Sequence, residues 1–207
     1  MAEAFITVSD AAGGTKKSHH NSRNIGSDLQ HDEYVLPGEP NYQTEICSVF
    51  NVSTATANDH LLCLNAPASL NLRVVRIRVE QANNATAGGL CSIEVRRTTT
   101  GAPTGGTAIT PAQYDTADAA SGAAGRSLPT AKGTESTVIF TRTLTVRQTV
   151  GTTGAQTDDR WEWVRSFWGK GILIPAGTTN GLVLKNTAAV AGATINAEIE
   201  FIATNFV

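Results

Sequence analysis

Charge is scarce in this sequence. Asp, Glu, Lys and Arg make up 16% of its 207 residues, where about a quarter is usual in a soluble protein. Sixteen Lys and Arg against eighteen Asp and Glu leave a net charge of −2. A free-standing nucleic-acid binder carries a basic excess that displaces counterions, so no nucleic-acid partner is expected. Long apolar runs are missing too. No stretch approaches the roughly 18 residues a membrane helix needs, and the start, MAEAFITVSDAAGG, shows no secretory pattern. No membrane partner is expected. Helix formers are few, with a single Met. The three cysteines, Cys47, Cys63 and Cys91, sit in apolar runs without a CxxC pair, which reads as buried free thiols made in a reducing compartment.

The motifs of catalysis are equally sparse. There is no GxSxG, no GxGxxG and no P-loop, since WGKG at 168–171 lacks the preceding glycine. His60 opens the run HLLCL and reads as a surface histidine at a strand end. His19 and His20 are adjacent, so on an extended chain they lie on opposite sides and chelate one ion poorly. Asp158 and Asp159 are too few for calcium and read as a turn before the following strand. These readings give no catalytic residue, no metal and no cofactor.

What the sequence has is Ala and Thr, 28 of each, together with 19 Gly. Thr favours strands and Gly favours turns, so the expected class is all-β. Residues 1–44 are polar and Gly-punctuated after a short AFITV, and three of the four histidines lie there. They read as an extended N-terminal arm with apolar anchors at Phe5, Ile6, Val8, Tyr34, Val35 and Leu36. From residue 45 to 207 the pattern is strand, turn, strand. Runs are expected at 44–52, 60–64, 70–81, 90–98, 137–148, 160–168, 171–175, 181–186 and 194–204. In the last of these Ile195, Ala197, Ile199 and Phe201 share one face. In 70–81 the alternation changes phase between Val74 and Val75, which predicts a β-bulge. About eight strands with short connections fit an antiparallel two-sheet jelly-roll sandwich. One connection is far longer: 99–136 is rich in Ala, Gly, Thr, Ser and Pro, and reads as a functional or disordered loop carrying Tyr114.

Three features point to surfaces. Arg73, Arg76 and Arg78, with Arg96 and Arg97, lie on two strands expected to pair, which would make a basic stripe offset by Glu80 and Glu94. Arg142 shares parity with Val138, Phe140, Leu144 and Val146, so either Glu198 or Glu200 neutralises it or its face is an interface. RWEWVRSFW holds Trp161, Trp163 and Trp168 and is apolar on both parities, as for a strand covered on both faces. Those tryptophans suit a subunit interface or, as the rival, stacking on a sugar.

The stretch VRRTTTGAPTGGTAITPAQYDTADAAS (95–121) resembles the strand-to-loop region of small jelly-roll structural proteins of tailed bacteriophages. FWGKGILIPAGTTNGLVLKNTAAVAGATINAEIEFI (167–202) is similar to their closing strands, with a Pro-Ala-Gly turn before a Leu-Val-Leu strand. The resemblance implies a capsid decoration, or cement, protein with no catalytic motif. Such a protein sits on the virion surface as a homodimer or homotrimer, contacts the major capsid protein and is assembled in the host cytoplasm. The anchors in the arm and Tyr114 would then be contact residues. A carbohydrate- or receptor-binding jelly roll of a fibre or tail is the alternative.

Overall fold

The computed structural model describes residues 43–83, 88–146, 159–166 and 171–204 in full. Over Glu3–Ser9, Thr15–Ile25 and Asp28–Glu33 it describes the backbone. The chain divides into two units, residues 1–41 and 42–207. In the first unit β1 (Glu3–Ser9), β2 (Thr15–Ile25) and β3 (Asp28–Glu33) pair antiparallel in that order. Phe5 is opposite His19, Ile6 opposite Ser18 and Val8 opposite Lys16. The segment read as an arm thus holds strands that pair with one another; its polar, low-contrast sequence carries no period from which they could be read.

The second unit runs β4 (Thr44–Ser53), β5 (His60–Asn65), β6 (Asn71–Asn83), β7 (Gly89–Thr100), β8 (Thr107–Ile109), β9 (Ala112–Gln113), β10 (Ala124–Ser127), β11 (Thr134–Val146), β12 (Arg160–Val164), β13 (Ile172–Ile174), β14 (Gly181–Asn186) and β15 (Thr194–Thr204). No helix occurs among the described residues. Two antiparallel sheets make a β-sandwich. One has the order β12-β6-β15-β4-β9, with β13 also on β6; the other has β11-β7-β14-β5-β10-β8.

The core lies between the sheets and follows from alternation. In β15 Ile195, Ala197, Ile199, Phe201 and Ala203 are buried while the intervening residues are half-exposed. Ile77, Val79, Ile93, Val95, Leu182 and Leu184 meet them from β6, β7 and β14. The bulge falls where the phase change places it. Glu200 pairs with Arg76 and Phe201 with Val74, so Val75 is the extra residue, and Val74 and Val75 are both buried. A second bulge lies in β4, where Ala197 pairs with Val49 and Ile195 with Val52. Asn51 sits there at φ 54, its N–H donating to the Asn196 side-chain oxygen at 3.0 Å. Asn tolerates the left-handed region better than most residues.

The long connection 99–136 is built into the sandwich. β8 and β10 extend the second sheet beyond β5, and β9 extends the first beyond β4. These strands are two to four residues long, too short to show alternation among Ala, Gly and Thr. Because β14, β5 and β10 separate β7 from β8, the segment 101–106 must cross them. The return, 128–133, crosses β5, β14 and β7 to reach β11. The two crossings are joined by the Thr104 and Ala131 backbones, with N–H to O distances of 3.0 and 3.1 Å. All six residues of β5 are buried, as expected for a strand covered by the core on one face and by these crossings on the other.

Close approach fixes β10. A Cβ at Gly125 would overlap Cys47 Sγ from the opposite sheet and lie 3.1 Å from Ile109 on β8. Gly125→Ala should lower stability by about 1–3 kcal/mol through overpacking. The check is the urea midpoint, which should fall with an unchanged slope.

Candidate functional site: two outer faces and an aromatic edge

The outer face of the first sheet is a ladder of opposite charges. Across β12, β6 and β15 the register aligns Glu162 with Arg78 and Arg78 with Glu198, and one rung on aligns Arg76 with Glu200. Arg76 Nε donates to Glu200 at 2.7 Å and its NH1 to Glu162 at 3.4 Å. Arg78 pairs with Glu80 at 2.5 Å and lies 3.9 Å from Glu198. Burial opposes the charge of Arg76, but the Glu200 hydrogen bond and charge outweigh it and raise its pKa. Tyr114 reaches this ladder from the residues after β9. The residue is 55% exposed, while its hydroxyl is 3.3 Å from Arg76 and 3.4 Å from Glu200.

The expected basic stripe does not form. β6 and β7 lie in opposite sheets, so Arg76 and Arg78 are separated from Arg96 and Arg97. Arg96 pairs with Glu94 at 2.5 Å and Glu135 at 3.2 Å. Arg97 donates to the Leu173 carbonyl on β13 of the other sheet.

The side of the sandwich between β11 and β12 is closed by aromatic rings. Phe140 meets Trp161 edge-on at 5.8 Å and lies over Trp163 at 6.1 Å, and all three pack against the core. Asp159 fixes the start of β12: its carboxylate accepts from the Thr145 N–H at 2.5 Å and its carbonyl from Gln81 at 3.1 Å. Asp158, expected to set a turn with it, lies outside the described residues. Trp161 Nε1 is buried without a partner among the described residues. Arg142 is exposed and stands over the Phe140 ring at 5.5 Å. Neither Glu198 nor Glu200 neutralises it, since both serve β6. It shares its face with Phe140, Leu144 and Val146 as expected, but not with Val138, which a register shift sets opposite Arg96, and at this sheet margin the guanidinium is exposed. The outward side of β12 is open, with Val164 57% exposed, so this strand is covered on one face only among the described residues.

His60 is the largest departure from the sequence reading. It is fully buried rather than on the surface, because the 128–133 crossing passes over β5. Its Nε2 lies 2.9 Å from Glu135 Oε1, and its Nδ1 3.7 Å from Cys63 Sγ. Glu135 also accepts from Lys185 Nζ at 2.8 Å. Burial lowers the His60 pKa, with Lys132 and Lys185 adding to that and Glu135 opposing it. Neutral His60 therefore donates from Nε2 to Glu135 and accepts the thiol proton at Nδ1. Burial opposes ionisation of Glu135, but the bonds from His60 and Lys185 outweigh it and lower its pKa. Burial pushes the Cys47 and Cys63 thiols up to about 12 and that of Cys91 to about 11. Thiols so protonated are poor nucleophiles.

Within the sandwich the expected site residues fall in two places. Trp161, Trp163 and Arg142 converge on Phe140. Tyr114 belongs to the charged ladder. Phe5, Ile6 and Val8 lie on β1, and Tyr34, Val35, Leu36 and Trp168 lie outside the described residues. Sequence reading missed Glu135 and Lys185, whose only signal was a charged residue near each strand's end. It also missed Glu45, which is buried and accepts from the Ser121 N–H at 2.6 Å and hydroxyl at 2.7 Å. Among the described residues no three His, Cys, Asp or Glu side chains converge as a metal site. Compared with known proteins, the chain matches no family model and no curated protein.

Proposed function

We propose that this chain is a non-enzymatic structural protein of a tailed-phage virion, a decoration protein that binds the outer shell of the head and bridges neighbouring major capsid proteins. The strand order carries the reading. β4, β5, β6 and β7 alternate between the sheets, β11 returns beside β7, and β12, β14 and β15 alternate again. That winding supports a jelly roll, the architecture implied by the resemblance at 95–121 and 167–202. A clamp also gains from a rigid body, and the interlocked ion pairs and in-built connection 99–136 supply one. Repeated weak contacts then add through the high effective concentration of sites on a shell. Residues 1–44 and Tyr114 are the proposed contact elements, and the protein acts as a homodimer or homotrimer.

Against the glycan-binding alternative stands the packing of Trp161 and Trp163, whose rings are turned onto Phe140 and the core. In a density gradient of the source culture, this 21.7 kDa chain should sediment with large particles in fixed ratio to a major shell protein. Recovery only among soluble proteins would end the proposal. Deleting residues 1–41, the first unit, should leave the sandwich folded and reduce attachment; saturation of capsids at an unchanged concentration would remove the arm from it.

A further inference from the structure

The 128–133 crossing starts from a strained residue. Leu128 has φ 46, a left-handed conformation that a side chain of this kind rarely adopts. Its N–H donates to the His60 carbonyl at 3.0 Å. The crossing is also held by charge. Lys132 Nζ donates to the Asn58 carbonyl at 2.8 Å and to Asp59 at 3.1 Å, and Glu135, where β11 begins, is fastened to His60, Lys185 and Arg96. Around His60 stand Glu135 from β11, Lys185 from β14, Lys132 from the crossing and Cys63 from its own strand. Beyond them Arg96 on β7 shares Glu135 and its own neighbour Glu94.

We propose that His60, Glu135 and Lys185 form an acid-sensitive latch that holds the 128–133 crossing, hinged at Leu128, over the outer face of β5. Protonating His60 would place a third cation on Glu135, which already serves Lys185 and Arg96. It would also turn Nδ1 into a donor facing a thiol, a weak acceptor. The imidazolium has no exposed surface, so it is stabilised chiefly by reaching water, and the crossing is the local cover. Opening the crossing costs less than unfolding the sandwich.

The sign follows from linkage. The folded pKa of His60 lies below its ordinary value, so its contribution is complete above pH ~6.5 and is lost as pH falls below that toward the folded pKa. One proton taken up on opening raises the opening constant up to tenfold per pH unit in that window.

Hydrogen exchange of the full chain tests this, comparing the Leu128 and Ala131 amides at pH 6.5 and 5.5 after correction for intrinsic rates. Opening should increase severalfold in the native protein and stay flat in His60→Gln, which keeps a donor toward Glu135 but cannot take the proton. Equal slopes in both proteins, or no rise in the native one, would overturn the latch. If the variant does not fold, maleimide labelling of the native chain decides. The ratio of Cys63 to Cys91 modification should rise on acidification, and a constant ratio refutes the proposal.

Discussion

Phe201→Ala is expected to cost about 3–5 kcal/mol, the usual range for removing a buried phenylalanine when the cavity cannot collapse. Phe201 has no exposed surface and heads the fully buried side chains by volume. Its surroundings are stiff on two sides. It pairs with Val74 beside the Val75 bulge in β6 and with Glu45 on β4, and the Glu45 carboxylate is tied to Ser121. Backbone so fixed relaxes little, which places the cost toward the upper end. For a domain of this size the melting temperature should fall by roughly 10 °C. Phe50→Ala is the matched control. Phe50 is 63% exposed at the β4 bulge, so its removal should stay within about 0.5 kcal/mol. Paired thermal melts check both, and similar losses at the two positions would mean that the inward face of β15 is misassigned.

Strands were legible where one face meets the core and the other meets water. Gly181–Asn186 and Thr194–Thr204 coincide with the expected runs, and the Val74–Val75 bulge appeared as a phase change because each side of it alternates cleanly. Legibility failed where coverage comes from distant chain. β5 reads as an apolar run with a polar residue at its start, and nothing in HLLCL announces that residues 128–133 lie over His60. Arginine positions misled for a related reason. Parity put Arg76 and Arg78 on an outer face correctly, but pairing β6 with β7 required knowing which sheet each strand joins, a property of winding rather than of local sequence. The site residues divide likewise. Tryptophans at alternate positions predict a shared face, and Trp161 and Trp163 share one. Glu135 is unremarkable in TEST and becomes central only because three other strands bring His60, Lys185 and Arg96 to it.

That convergence makes Glu135→Ala the second large effect. The substitution removes the acceptor for Lys185 Nζ, whose side chain is 13% exposed, and for His60 Nε2, which is fully buried. An unmet buried donor costs about 1–3 kcal/mol, and more when it is charged. Arg96 loses one partner and keeps Glu94. Glu135 is itself partly solvated, so the expected loss is about 2–3 kcal/mol rather than the 3–5 of a fully buried pair. Its pH dependence separates this loss from a packing defect. The folded pKa of Glu135 is lowered, so its stabilisation is complete above about pH 4.5 and is lost as pH falls below that. The gap between native and Glu135→Ala stability should therefore be largest near neutrality and shrink in acid. Phe201→Ala, which alters no titrating group, should show the same deficit across the range. Urea titrations of the three proteins at neutral and acidic pH distinguish the cases. A Glu135→Ala deficit that stays constant into acid would show that the carboxylate acts by filling space rather than by binding its cations.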